Sequence, residues 1–493
     1  MTDTATTVGQ DAIDQLTDDE QTTLTRLQKQ WEAKRERNLL RAAYYDGKHA
    51  ATRMSTMALP PQFMRIATIL GWPAKAVDAL NTRCHLERFV SPGQDVDDLG
   101  VTEVWDDNNL AAEIPQAHLS ALIHAVAWLV VTAGDEGEPD AIITVKDAMS
   151  ATGLWNYRSR RVDAFLSILG YDSDQPDRIA EQVLYLPEGN IYMVKEGGVW
   201  SVDRDTHDLG RVPVEPLVFK PRVNRPYGSS RISRAVMSMT DLAMRCVMRS
   251  EITAELYSVP QRVLMGADES DFKNADGSIK AAWQVVFGRI WAIGRDEDGE
   301  LPRLEQLQQA SQGPHMEQLR ALAQLFAGET SIPIASLGIS GEANPTSAEA
   351  YYASREDLIA LAEAATDGWG PAWSRAMRMA LQLKNGTAPD ELRPLRAQFR
   401  SPAHTSRAAA ADAMLKAIQA FPWLAESDTA VELLGFDELT TERLLADKRK
   451  AAARRLIQSL TAPVPAPPQQ PPPGQAEGPP GPRDVNTPIE TNG

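Results

Sequence analysis

Apolar positions in residues 21–45 recur at helical intervals. Leu24, Leu27, Trp31, Leu39 and Tyr45 alternate with Lys29, Lys34, Arg35 and Arg37, which predicts an amphipathic helix. Asp46-Gly47 stops it, because glycine tolerates the positive φ of a helix C-terminus. A second helix is expected over 74–83, with Ala76, Val77 and Leu80 as its stripe, and a third over 114–129. Short β-branched runs follow at 142–145, 183–186, 191–194, 199–202 and 214–219, bounded by turn residues. Pro187-Glu188-Gly189-Asn190 and Gly197-Gly198 join three of them into a meander. Pro216 sends the last run to a sheet edge, since proline cannot donate to a ladder. Residues 162–169 fit either helix or strand.

The longest periodic segment is 231–257. Ile232, Val236, Met239, Leu242, Ala243, Cys246, Val247, Ala254 and Tyr257 lie near one face, while Arg234, Arg245, Arg249 and Glu251 fall elsewhere. At about 1.5 Å per residue such a helix spans roughly 40 Å. Pro260 ends it, and 261–304 reads as short strands, among them 262–265 and 290–293. A helix over 316–326 precedes an irregular stretch, 330–345, rich in proline and glycine. Thr346 and Glu349 form a capping box for a helix to about residue 365, which Gly368, Gly370 and Pro371 should break or kink before it continues over 372–383. Helices at 407–420, 429–434 and 440–460 close the folded part. Residues 461–493 hold 11 of the 33 prolines, and no aromatic residue follows Phe436, so this tail is expected to be disordered. The acidic residues 1–20 are expected to be frayed. No solenoid repeat appears, and the class is α+β, mainly helical.

Composition narrows the function. The chain has 493 residues, which suggests about three domains at roughly 150 residues each. Asp and Glu outnumber Lys and Arg by 67 to 50, a net charge of −17, which argues against coating nucleic acid through bulk charge. Cys84 and Cys246 provide neither a disulfide framework nor a zinc site and fit a reducing compartment. Residues 1–20 hold six acids and no base, unlike a signal peptide. The best membrane candidate, 121–133, contains His124 and falls short of the ~20 residues a span needs. A soluble, non-secreted protein is expected.

Catalytic signatures are missing. Gly47-Lys48 lacks the upstream glycine and hydroxyl residue of a phosphate loop, which opposes an ATP-driven motor. Asp172-Ser173-Asp174 lacks the glycine and terminal glutamate of a calcium loop, and the seven histidines show no metal-ligand spacing. No metal or cofactor is expected. Arg222, Arg225, Arg231 and Arg234 crowd the start of the long helix, where positive charge does not help the helix dipole. Such arginines suit solvated charge or ion pairs with neighbouring subunits, or contacts with DNA phosphates; the acidic net charge favours the former.

The order of several short motifs resembles the portal proteins of tailed bacteriophages, of the siphophage portal family. These are Tyr44-Tyr45-Asp46-Gly47-Lys48-His49, Ala76-Val77-Asp78-Ala79-Leu80-Asn81-Thr82-Arg83, and Trp105 with Asn108, Asn109 and Leu110. Gly210-Arg211-Val212-Pro213-Val214, Gly228-Ser229-Ser230-Arg231-Ile232, Thr330-Ser331-Ile332-Pro333 and Ser347-Ala348-Glu349-Ala350 follow, the last with Ala348 where the family usually has glycine. Together they cover about residues 30–450.

The resemblance implies a non-enzymatic homo-oligomer, usually a dodecameric ring, at one capsid vertex of the virion. It would be assembled in the host cytoplasm, with double-stranded DNA passing through its channel. It implies a wing within 21–225, a stem helix at 226–258, a clip at 259–313 and a second stem helix at 314–330. A tunnel loop falls within 331–346, a tunnel helix and return to the wing at 347–403, and a crown at 404–460. Ile339, Ser340, Gly341, Glu342, Ala343, Asn344 and Pro345 would face DNA, with one acid and no base among them. The implied partners are the terminase large subunit, a head–tail adaptor, and the major capsid and scaffolding proteins, with no membrane. A metal-dependent DNA-processing enzyme and another head–tail connector component are the alternatives. Length opposes the connector, and the missing phosphate loop opposes a motor.

Overall fold

The computed structural model describes residues 15–49, 68–92, 96–173, 175, 178–257, 262–265, 303–306, 311–339, 355–386, 392–403, 407–432, 434, 436 and 438–461. They form two compact units, divided at residues 403 and 404. Helices and antiparallel sheets build the first unit, as an α+β chain should.

Helix α1 (Asp18–Tyr45) opens with a capping box, in which Thr17 Oγ1 accepts the Glu20 N–H and Glu20 accepts the Thr17 N–H. Helix α2 (Trp72–Asn81) carries Pro73 in its first turn, where a missing N–H is harmless. Strand β1 (Leu86–Val90) and helices α3 (Val101–Asp107) and α4 (Leu110–His124) follow.

Eight strands come next: β2 (Val126–Ala133), β3 (Ala141–Asp147), β4 (Ala151–Asn156), β5 (Arg161–Tyr171), β6 (Ile179–Tyr185), β7 (Gly189–Glu196), β8 (Val199–Thr206) and β9 (Val214–Val218). They make an antiparallel sheet of order β3-β2-β9 and a five-stranded meander, β4 to β8. The expected meander is present within this sheet. Pro216 stands on the edge strand β9, opposite Trp128.

The expected helix over 114–129 is corrected. Ala125 adopts φ 86° and bonds back to the Ala121 carbonyl, and the chain then extends into β2. The two faces of β2 belong to different cores. Ala127, Leu129 and Val131 join α4 and the helical core, whereas Val126, Trp128 and Val130 pack with Phe165, Val183 and Tyr185 of the five-stranded sheet. A strand buried on both faces reads as an unbroken apolar run, which periodicity does not separate from a buried helix. Strand β5 likewise decides the ambiguous 162–169. Across the meander, Leu166, Leu184, Ile191, Met193 and Trp200 pack under Leu24, Leu27 and Trp31 of α1. The Trp31 indole donates to the Met149 carbonyl at 2.6 Å.

Beyond β9 come α5 (Arg234–Tyr257), β10 (Arg262–Met265), β11 (Arg303–Gln306), α6 (Gly313–Thr330), a 3-10 turn (Ile334–Leu337), α7 (Glu356–Asn385) and β12 (Arg396–Phe399). β10 pairs with β11, and β1 with β12, both antiparallel. Of the expected break or kink near Pro371, the break is corrected, because α7 runs through it as one helix. Proline deprives the Asp367 carbonyl of its helical partner. Trp369, Ala372, Trp373, Ala376, Met377, Ala380 and Leu381, all buried, hold the helix across that gap. Each large buried side chain contributes about 1.5–3 kcal/mol.

The second unit contains α8 (Arg407–Ala420), a 3-10 turn (Pro422–Glu426), α9 (Asp428–Glu432) and α10 (Glu438–Thr461). Met414, Ala430 and Thr441 are buried, while Leu415, Phe421, Trp423, Leu444 and Ile457 are exposed. The capping box at Thr346, the strand at 290–293, residues 1–14 and the tail from 462 lie outside the described residues. No described helix is long and apolar enough to cross a membrane.

Candidate functional site

The motif at 228–232 builds the root of a helical hairpin. Gly228 has φ +69°, and a Cβ there would sit 2.1 Å from the Phe219 carbonyl oxygen, so only glycine fits. The Ser229 N–H donates to that same oxygen at 2.9 Å. Ser230 Oγ donates to the Ile123 carbonyl at 2.5 Å and accepts the Ile232 N–H at 2.9 Å. The Arg231 N–H donates to Leu122 O. Ser233 Oγ accepts the Val236 N–H at 3.2 Å, a capping contact, so α5 begins at Arg234 and not at residue 231 as expected.

The structure separates the four arginines. Arg231 is buried, and its guanidinium donates to the carbonyls of Ala76 in α2 and Thr330 at the end of α6. Burial pushes its pKa down to about 10, so it remains charged at neutral pH. Arg222, Arg225 and Arg234 are exposed. Arg222 and Arg225 exchange backbone hydrogen bonds across a tight reversal, and Arg222 also reaches Ser229 Oγ at 3.3 Å.

A second brace comes from the motif at 44–49. The Tyr44 hydroxyl donates to Asp241 Oδ1 at 2.8 Å, and His49 Nε2 lies 3.3 Å from the same oxygen. The two rings stack with centroids 4.1 Å apart. The Tyr45 hydroxyl donates to Asp78 in α2 at 2.9 Å. Gly47, at φ +66°, turns the chain between them. The end of α1 thereby grips α2 and α5 together.

Helices α5 and α6 run antiparallel. Ser233, early in the hairpin, donates to Glu329 near its end, while Ser250 donates to Gln312 at 2.8 Å. The Cys246 thiol donates to the His315 carbonyl, and Thr253 Oγ1 lies 3.3 Å from His315 Nε2. Val236, Ala243 and Cys246 pack in one core with Leu322, Ala323 and Phe326. Arg249, Glu251, Glu255, Glu317 and Arg320 are exposed along the pair, as are Leu242, Met316 and Leu325. The antiparallel β10–β11 pair lies in sequence between the two helices. Ile339 packs against the main core, whereas Ser340, Gly341, Glu342, Ala343, Asn344 and Pro345 lie outside the described residues.

Among the histidines, His118 is fully buried. Its Nδ1 lies 3.0 Å from the Cys84 carbonyl and its Nε2 accepts the Trp373 indole N–H at 3.0 Å. A carbonyl only accepts and an indole only donates, so the proton is on Nδ1. Desolvation holds its pKa down to about 3, so it is neutral at pH 7. The ring stacks on Trp369 at 4.5 Å. This is a core histidine, sealed from any substrate. Both cysteines are buried and free, and burial raises the Cys84 thiol to about 12. Among the described residues no three His, Cys, Asp or Glu side chains gather as a metal site.

Comparison with known proteins identifies the family. Residues 24–432 match the family described as Phage portal protein, SPP1 Gp6-like. The portal proteins of Mycobacterium phages L5 and D29 are each 28% identical over 382 residues, covering 76% of this chain and 77% of theirs. A chain from the neck of a native gene transfer agent particle, solved with C12 symmetry, is 16% identical with a TM-score of 0.42, covering 74% of this chain and 90% of that one. The chain belongs to the phage portal family: it is a structural component of the virion at a capsid vertex and not an enzyme.

Proposed function

We propose that this chain assembles with copies of itself, twelve in number, into a ring through which double-stranded DNA is packaged and ejected. In this reading α5 and α6 are stem helices and β10–β11 belongs to the clip, which meets the terminase large subunit and the head–tail adaptor. The sheets within 90–225 form the wing. Residues 339–345 form the tunnel loop facing DNA, α7 is the tunnel helix, and residues 404–460 form the crown. Major capsid and scaffolding proteins are the partners around the ring, and assembly takes place in the host cytoplasm.

The observation that carries the reading is the braced hairpin. Arg231 joins its two feet and α2 through carbonyl oxygens, and Asp241 joins it to the end of α1. A long two-helix rod, rooted at one end and tipped in sequence by a small sheet, suits a wall element of a channel. Electron micrographs of the purified protein should show rings with a central hole and about twelvefold symmetry. A stable monomer at high concentration, with scaffolding protein supplied, overturns it.

A further inference from the structure

Four arginines from distant parts of the first unit, Arg211, Arg375, Arg378 and Arg396, gather near a single carboxylate, and Arg161 of β5 is near enough to act on Arg211 electrostatically. Glu215, at the start of β9, is buried, and its two oxygens meet Arg211 and Arg375, the latter at 2.9 Å. One turn along α7, Arg378 donates to the Leu395 carbonyl at 3.4 Å, and Arg396 donates to the same oxygen at 2.9 Å. Burial, together with Arg161 and Arg375, presses the Arg211 pKa down while Glu215 opposes; burial, Arg396 and Arg375 do the same to Arg378. Among the described residues, Arg378 and Arg396 donate to carbonyls and form no contact ion pair with a carboxylate. The Nε–H groups of Arg211 and Arg378 are buried without a partner. The cluster is therefore short of acceptors and rich in positive charge, in a chain whose net charge is −17. It also reaches the surface: the Arg375 side chain is 39% exposed, and Arg161 and Arg396 are exposed.

We propose that this guanidinium patch is a socket for carboxylates of a second copy of this chain. The proposal rests on the ring reading above. Planar guanidinium forks match carboxylates in geometry, and such pairs fix partner and register as much as affinity. Each copy offers abundant counterparts, for acids exceed bases by 17. The β2–β3 turn alone exposes Asp135, Glu136, Glu138 and Asp140, with no base in 134–140. A second copy carries 50 bases among its acids, whereas a duplex carries a phosphate at every nucleotide, so the chain's acid excess opposes a duplex more strongly than another copy.

The test uses the full chain with Arg375→Gln/Arg396→Gln and Arg375→Glu/Arg396→Glu. Mass photometry follows ring formation against protein concentration at low and high salt. Fluorescence anisotropy of a labelled duplex runs in parallel. The expected result is a rise of about tenfold or more in the concentration needed for assembly, larger for reversal than for neutralisation, with no change in duplex binding. Because Arg375 also pairs with Glu215, Arg161→Glu supplies a variant outside that ion pair, and it should shift assembly in the same direction. Unchanged assembly in all three variants overturns the proposal and leaves the ring reading standing. Duplex binding by the unaltered chain that the variants lose, with assembly intact, overturns it in favour of a phosphate site. An unaltered chain that never assembles removes the ring reading and the socket with it.

Discussion

Arg231 is a basic residue that the sequence places with its exposed neighbours and the structure places inside. The difference lies in its partners, Ala76 and Thr330, which are far away in the chain and invisible to local pattern. Replacing it with methionine leaves both carbonyls without their donor while relieving the cost of a buried charge. The net loss should be about 1–3 kcal/mol, read as a drop of several degrees in calorimetric melting. His118 gives a pH prediction. Its folded pKa of about 3 lies below the ordinary value of 6.5, so above pH 6.5 it is neutral in both states and imposes no penalty. Below pH 6.5 the unfolded chain takes up a proton that the folded chain refuses, and stability falls by about 1.4 kcal/mol per pH unit until about pH 3. His124, lowered to about 4 by burial, adds the same slope over a shorter window. Denaturant unfolding between pH 7 and 4.5 should be less steep in pH for His118→Phe, whatever that variant's baseline. An identical slope would mean that the ring takes its proton in the fold.

At the scale of elements, what could be read in advance follows from where each element's instructions lie. Helix α1, the meander and the edge position of β9 were legible because their periodicity, turn residues and Pro216 are local. The α4–β2 boundary was not, since β2 draws its partners from β3, β9 and two cores. The pairing of β1 with β12 joins segments some three hundred residues apart and leaves no local mark. The motifs at 44–49 and 228–232 could be seen as motifs, yet their work in bracing α5 depends on Asp241, Ile123 and Phe219, which lie outside them. The convergence of Arg211, Arg375, Arg378 and Arg396 was hidden for the same reason. Helix α7 shows tertiary packing overriding propensity, and it makes a prediction. Pro371 is exposed, so Pro371→Ala restores an N–H for the Asp367 carbonyl without disturbing the core. The gain should be about 1–2 kcal/mol, the helical bond set against the greater freedom of the unfolded chain. Equilibrium urea unfolding checks it, and a loss of stability would mean that the fold uses the proline's shape at that point.

For the whole molecule the decisive quantity is the acid excess. Affinity for duplex DNA comes largely from counterions released as Lys and Arg neutralise phosphates, and it falls steeply with salt. A chain of net charge −17 supplies no such reservoir overall. Of the four arginines around the start of α5, one is already committed to internal carbonyls, and the proposed socket directs a second basic cluster toward protein carboxylates. The proposed conduit would gain from this arrangement, because each fixed phosphate contact would be a barrier to sliding. In solution, assembled protein at about 0.15 M salt should leave a labelled duplex free into the micromolar range, with little further change as salt rises. Tight binding with a steep salt dependence would show that basic residues outweigh the net charge along the DNA path. Passage would then proceed against a series of phosphate contacts, and the acid excess would serve assembly alone.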